Sequence, residues 1–174
     1  SLGGIVGQGA DYHFSEYEGD DTGGDALDAD DVAGGTVHGK AWVGDLTAQV
    51  YFNGRYKRIP TGAFETVLAD PRAHSSDLRG FAELRYEPHF GRSRLYARAY
   101  LDTYAFLGDY PYSEQAVTHD RWSGTWAGAE PRWVARPTDW LTTTVGAEAR
   151  TSLSARLQGW DEIGRTTDRY LDVS

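Results

Sequence analysis

The chain has 174 residues, 21 of them Gly, 11 Tyr and 6 Trp, with a formal net charge of -9 and a mean hydropathy of -0.56. That length suits one domain, and the acidic balance argues against nucleic acid, whose phosphates nothing here would neutralise. The absence of Cys removes disulfides, thiolate metal sites and thiol nucleophiles together.

No apolar run is long enough for a transmembrane helix, yet barrel strands hide their apolar half behind alternation. There is no Met, and SLGGIVGQGA lacks the basic and long apolar regions of a signal peptide. The other end, YLDVS, falls inside a strand-like alternation, so the chain reads as a processed or excised piece.

Taken in order, Ala10 to Tyr17 is expected to form a strand with imperfect alternation. Residues 18–35, EGDDTGGDALDADDVAGG, combine dense like charge with Gly and read as a solvated acidic loop that cannot bury a core. Clustered carboxylates suit calcium, but the D-x-[DN]-x-[DN]-G pattern fits at neither Asp20 nor Asp28, so no metal is assigned.

Thr36 to Val43 reads as a strand, Gly44-Asp45 as a tight turn, and Leu46 to Lys57 as the cleanest strand of all. In that strand Leu46, Ala48, Val50, Phe52, Gly54 and Tyr56 alternate with Thr47, Gln49, Tyr51, Asn53, Arg55 and Lys57. A long connection follows from Arg58 to Ser76, punctuated by Pro60 and Pro71. Asp77 to Glu87 alternates again, and Pro88 to Ser93 turns the chain into Arg94 to Leu107.

That segment, RLYARAYLDTYAFL, sets Leu95, Ala97, Ala99, Leu101, Ala105 and Leu107 against Arg94, Arg98, Asp102 and four aromatic rings. Its length exceeds the usual five or six residues of a strand by about twofold. Gly108 to Asp120 reads as a longer loop, Arg121 to Ala135 as a strand flawed by Pro131, and Arg136 to Asp139 as a turn. Trp140 to Leu157 is a strand with Leu141, Val145, Ala147, Ala149 and Leu153 on one side. Gln158 to Thr167 is a polar loop, and another strand starts at Asp168.

The links alternate short and long, which places every long one at the same end. Outer-membrane barrels are built that way. Tyr86, Phe90, Trp133 and Trp140 gather at the short-turn end and Tyr56, Tyr104, Phe106, Tyr110, Tyr112 and Trp122 at the other, as two interfacial belts would. The expected fold is all-β: an antiparallel up-and-down meander of about seven or eight long strands, one segment over residues 1–174, forming part of a transmembrane β-barrel.

Specific stretches sharpen the expectation. KRIPTGAFETVLADPR (Lys57 to Arg72) with DLRGFAELRYE (Asp77 to Glu87), RAYLDTYAFLGDYPY (Arg98 to Tyr112), WAGAE (Trp126 to Glu130) and TVGAEAR (Thr144 to Arg150) resemble the barrel of bacterial TonB-dependent outer-membrane receptors. The resemblance implies a barrel of about 22 strands closed by a plug domain. It also implies uptake of a small-molecule nutrient such as an iron chelate or cobalamin, driven through TonB, in contact with outer-membrane lipid. This chain contains neither a plug nor a recognisable TonB-box segment, and would supply roughly a third of such a wall. The alternatives are a complete small outer-membrane barrel, structural or hydrolytic, and a soluble barrel that binds a ligand inside.

Candidate site residues fall into three groups. Arg55, Arg79, Glu83, Arg85, Arg94, Arg98, Asp102, Glu130, Glu148 and Arg150 share the charged face, where they would line a lumen, pair across strands, or touch a plug or an anionic substrate. Tyr104, Asp109, Tyr110 and Tyr112 lie in or beside the Gly108 loop and are candidates for ligand contact. The five His residues show no metal spacing, no cofactor is implied, and no residue is assigned a catalytic role. His119, Asp120 and Ser123 are close in sequence, but a nucleophile-base pair needs geometry rather than proximity.

Overall fold

The computed structural model describes residues Ser1–Ser174. Twelve strands occur in chain order: β1 (Leu2–Gly7), β2 (Tyr12–His13), β3 (Asp25–Ala26), β4 (Val32–Val43), β5 (Leu46–Arg58), β6 (His74–Tyr86), β7 (His89–Phe90), β8 (Ser93–Ser113), β9 (Ala116–Thr138), β10 (Leu141–Gly146), β11 (Ala149–Ile163) and β12 (Thr166–Val173). One sheet runs β1-β4-β5-β6-β8-β9-β11-β12, with β7 added to β8, β10 added to β9, and β2-β3 a separate pair. Every pairing is antiparallel. The expected all-β meander is therefore present. The sheet is open: β1 and β12 are its edges and do not pair with each other.

Several boundaries differ from the sequence reading, each for a physical reason. Leu2–Gly7 forms a strand because it pairs with Val32–Val37, and pairing rather than alternation orders this Gly-rich stretch. The expected strand at Ala10 to Tyr17 shrinks to the β2 pair and a 3-10 turn at Ser15–Tyr17. The acidic loop ends earlier than residue 35, because Val32 to Gly35 are already held between β1 and β5.

The loops expected at Gly108 to Asp120 and Gln158 to Thr167 are mostly strand. The β8-β9 ladder continues to Ser113↔Ala116, and the β11-β12 ladder to Ile163↔Thr166 with Gly164 in the turn at φ 62. Polar composition hid these strands, since their register partners lie in neighbouring segments. Pro111 is tolerated because its carbonyl accepts from Val67 N–H at 2.8 Å, so its missing donor faces the rim loop and not β9.

The strand expected from Trp140 to Leu157 is interrupted at Ala147-Glu148 without a change of register. Gly146 pairs with Arg132 and Ala149 with Ala129, which leaves Ala147 opposite Pro131. Ala147 donates to the Pro131 carbonyl at 3.0 Å, and proline has no N–H to return the bond. A bulge between Ser152 and Ser154 then reverses the alternation. Beyond it Ser154, Arg156 and Gln158 join the apolar face and Leu157 joins the charged one, contrary to the unbroken pattern expected.

Register makes the two faces explicit. One row reads Gly39, Val50, Ala82, Leu101, Ala127 and Thr151 across six strands, and a second Ala41, Ala48, Leu84, Ala99, Ala129 and Ala149. On the opposite face one row reads Gln49, Glu83, Tyr100, Gly128 and Arg150, and another Asn53, Arg79, Tyr104 and Gly124. Only 12 of 174 residues are buried, so the main sheet is a single layer with both faces uncovered.

The small core lies at the long-link end. Ala26, Ala29 and Leu68 are buried there, with Phe14, Tyr17 and Ala69 against them. This corrects the expectation that residues 18–35 bury nothing: the loop folds onto residues 59–73, and its small Ala side chains fit beneath Leu68. The upper aromatic belt also needs correction. Tyr56 lies on the apolar face, but Tyr104, Phe106, Trp122 and Tyr110 lie on the charged one.

Candidate functional site

The ten charged residues singled out from the sequence all fall on one face, because each sits in phase with its cross-strand partner. Arg98 on β8 is the centre. Its Nε donates to Glu130 Oε2 at 2.7 Å, with Glu83 Oε2 at 3.5 Å and Glu148 Oε1 at 3.7 Å. The register that survives at Ala147-Glu148 brings Glu148 opposite Glu130, and Arg98 neutralises a like-charged pair that would otherwise repel.

Glu83 also accepts from Arg85 at 2.7 Å and from Gln49 at 3.0 Å. Glu87 accepts from Arg94 at 2.6 Å, Asp77 from Arg55 at 3.0 Å, and Asp102 lies 3.7 Å from Arg79. Pairing within the sheet thus accounts for nine of the ten. Arg150 has a different partner: its guanidinium lies 5.0 Å over the Trp126 ring.

Two shallow concavities of about 300 and 320 Å³ open on this face. The first is lined by Arg85, Glu87, Tyr96, Arg98, Glu130 and Arg132. The second includes Phe81, Tyr100, Asp102, Trp126 and Arg150.

The four candidates for ligand contact do not converge. Tyr104 lies within β8, and its hydroxyl donates to Asp77 Oδ1 at 2.7 Å. Tyr110 shares that face, with its ring over Gly108 and edge-on to Phe64 at 6.4 Å. Asp109 points to the opposite face, and Tyr112 is exposed beside the hairpin tip.

Asp109 instead organises a cluster that the sequence reading missed. It accepts from Arg121 Nη1 at 2.7 Å and from His119 Nδ1 at 2.8 Å, with His74 Nε2 at 3.3 Å. His119 stacks on Trp160 at 5.0 Å. Asp109, His119, His74 and Trp160 form one cross-strand row, a signal visible only once the supposed loop is known to be strand. His119 therefore pairs with Asp109 rather than Asp120, whose carboxylate accepts from Tyr170 at 2.8 Å. No hydrogen bond joins His119 to Ser123, so the residues form no nucleophile-base chain.

The rim loops are tied down by ion pairs at the base of the small core. Lys57 bonds Asp30, and Arg58 bonds Asp31 at 3.0 Å and the Asp28 carbonyl at 2.7 Å. Arg72 donates to Asp70 and also to the Ser113 and Glu114 carbonyls at 2.8 and 3.0 Å, clamping the loop to the β8-β9 tip. The Arg72 guanidinium holds the Asp70 carboxyl below the usual carboxylate range, against the opposing effect of burial. Lys57 lowers Asp30 in the same way.

Fold and site together define an open, single-layer antiparallel sheet with one apolar face, one ion-paired face and a folded rim. Comparison with protein-family models, curated proteins and solved structures found no match.

Proposed function

We propose that this chain is a segment of the barrel wall of a TonB-dependent receptor in the bacterial outer membrane, taking part in nutrient uptake and doing no covalent chemistry. The observation that carries the reading is the division of the sheet: apolar rows continuous across six strands, backed by rows of ion pairs. In lipid a sheet must close to satisfy its edges, so the proposal includes further strands that complete the wall around a plug. The apolar face then meets lipid, and the charged face meets an aqueous lumen.

The tall hairpins and the folded rim support an outward-facing end, since long extensions belong there in such barrels. Arg156 and Arg121 join the apolar face only at that end, where a charge near the interface costs little, about 0–1 kcal/mol. The open sheet gives no support to a closed small barrel, and the separation of His119 from Ser123 gives none to a hydrolase.

The test is uptake by the parent protein in cells with and without TonB. Uptake of a ferric chelate or cobalamin that stops when TonB is removed fits the reading. Full uptake without TonB, or esterase activity lost on His119→Ala, would replace it.

A further inference from the structure

We infer that the nutrient is a neutral carbohydrate, with Phe81 and Trp126 as the sides and Asp102 as the floor of a subsite for one of its pyranose rings. The subsite rests on the reading of this face as water-lined. The three residues stand in one cross-strand row, Phe81↔Asp102↔Trp126, midway along β8 and β9. Aromatic residues in a membrane wall belong at its two interfaces, so rings at mid-height in a polar lumen point to an occupant.

Each ring is covered on the side away from Asp102. Tyr51, next in the row on β5, stacks on Phe81 at 5.6 Å and 21°. Arg150, on the β11 side, lies 5.0 Å over Trp126. The sides toward Asp102 stay open, and all three residues line one concavity of about 320 Å³. Two strand spacings set the Phe81 and Trp126 backbones about 10 Å apart. A pyranose in van der Waals contact on both of its faces needs about 7–8 Å.

Charge decides the class of solute. The Asp102 carboxylate is 19% exposed and pairs only with Arg79, whose Nη2 lies 3.7 Å away, beyond a hydrogen bond. Its oxygens are free to accept from two neighbouring hydroxyls, and the N–H edge of Arg79 can donate to a third. A pyranose carries apolar C–H faces for the rings and a rim of hydroxyls for these groups. Asp102 repels an anion. A carboxylate between rings would otherwise suit an ammonium group, but the guanidiniums of Arg79, Arg98 and Arg150 line the same concavity and repel a cation. A neutral polyol meets neither penalty.

The probes are maltose, cellobiose, lactose and sucrose, titrated calorimetrically into the parent protein purified in detergent, with choline and citrate as charged comparisons. At least one disaccharide should bind, and choline and citrate should not. Phe81→Ala and Trp126→Ala should each weaken that sugar about tenfold, and Asp102→Asn by a similar factor through loss of the charge-assisted bonds. Trp126→Tyr should recover most of the loss, and Trp140→Ala, in the exposed β9-β10 turn, should change nothing. Absence of binding by every disaccharide, binding of choline or citrate in their place, or sugar binding unchanged in Trp126→Ala and Asp102→Asn overturns the inference. Circular dichroism of each variant guards against a folding defect. The titration needs neither TonB nor transport, and the facing of the sheet is read separately by spin labels, so a failed receptor reading and a failed sugar site give different results.

Discussion

Tyr100 on β8 faces Gly128 on β9, and its ring occupies the volume that a Cβ at position 128 would need. The same ring lies 5.1 Å beneath Arg98 and donates its hydroxyl to Glu148, so a small residue at 128 positions part of the charged cluster. Gly128→Ala should cost about 1–3 kcal/mol in urea unfolding, as overpacking does. Gly124→Ala is the contrast, because its nearest neighbour is the Trp126 ring at 3.6 Å, an ordinary contact, and it should be neutral or slightly stabilising. Asp70 gives a pH-dependent prediction at the same scale. Its folded carboxyl is lowered by Arg72, so the stabilisation is fully present above the unfolded value of about 3.9 and fades as pH falls through the lower folded value. Hydrogen exchange of amides 59–73 should therefore vary only with its intrinsic rate from pH 8 to 5, and lose protection below about 4. Asp70→Asn should show the weaker protection at every pH.

At the scale of elements, the β8-β9 hairpin carries the strongest prediction. Residues 108–111 are paired with β9, Tyr112 sits in the bulge beside them, and Val67 and Arg72 clamp Pro111, Ser113 and Glu114, so the segment belongs to the sheet and is not a dispensable loop. Deleting Gly108–Tyr112 removes Asp109, unpairs His119 and shifts the arm by an odd number of residues, which exchanges its faces. The loss should exceed about 2 kcal/mol in unfolding experiments. Replacing Arg165 with Asn keeps Gly164 at φ 62 in the two-residue turn and should stay within about 0.5 kcal/mol. Equal effects from the two changes would contradict this account of the hairpin.

The contrast also explains what the sequence could reveal. β5, β6 and the middle of β8 were legible because one face is apolar, so alternation survives in the residues themselves. The strand extensions at 108–113, 116–120 and 158–163 were not, since both of their faces are polar and only register joins Asp109 to His119 and Trp160. The bulge at Ser152/Ser154 was hidden for a related reason, because Ser is compatible with either face. The ten charged residues were recognised as one face from alternation alone, but the role of Arg98 as their centre depended on three carboxylates from three other strands.

At the scale of the whole molecule, the chain is a sheet without a covering layer. Val50, Phe52, Leu84 and Leu101 are exposed on one face, and β1 and β12 present unpaired edges. A surface of this kind needs a partner, and the account assigns lipid to the apolar side and water to the ion-paired side. Neighbouring residues on β8 separate these environments most sharply, because Leu101 and Asp102 lie at the same height and point opposite ways. The decisive measurement is power-saturation EPR on single spin labels at Leu101 and at Asp102 in the parent protein reconstituted into lipid vesicles. The Leu101 label should be relaxed by oxygen dissolved in the bilayer and the Asp102 label by a water-soluble nickel chelate. A Leu101 label shielded from oxygen, or an Asp102 label relaxed by oxygen and not by the chelate, would contradict it.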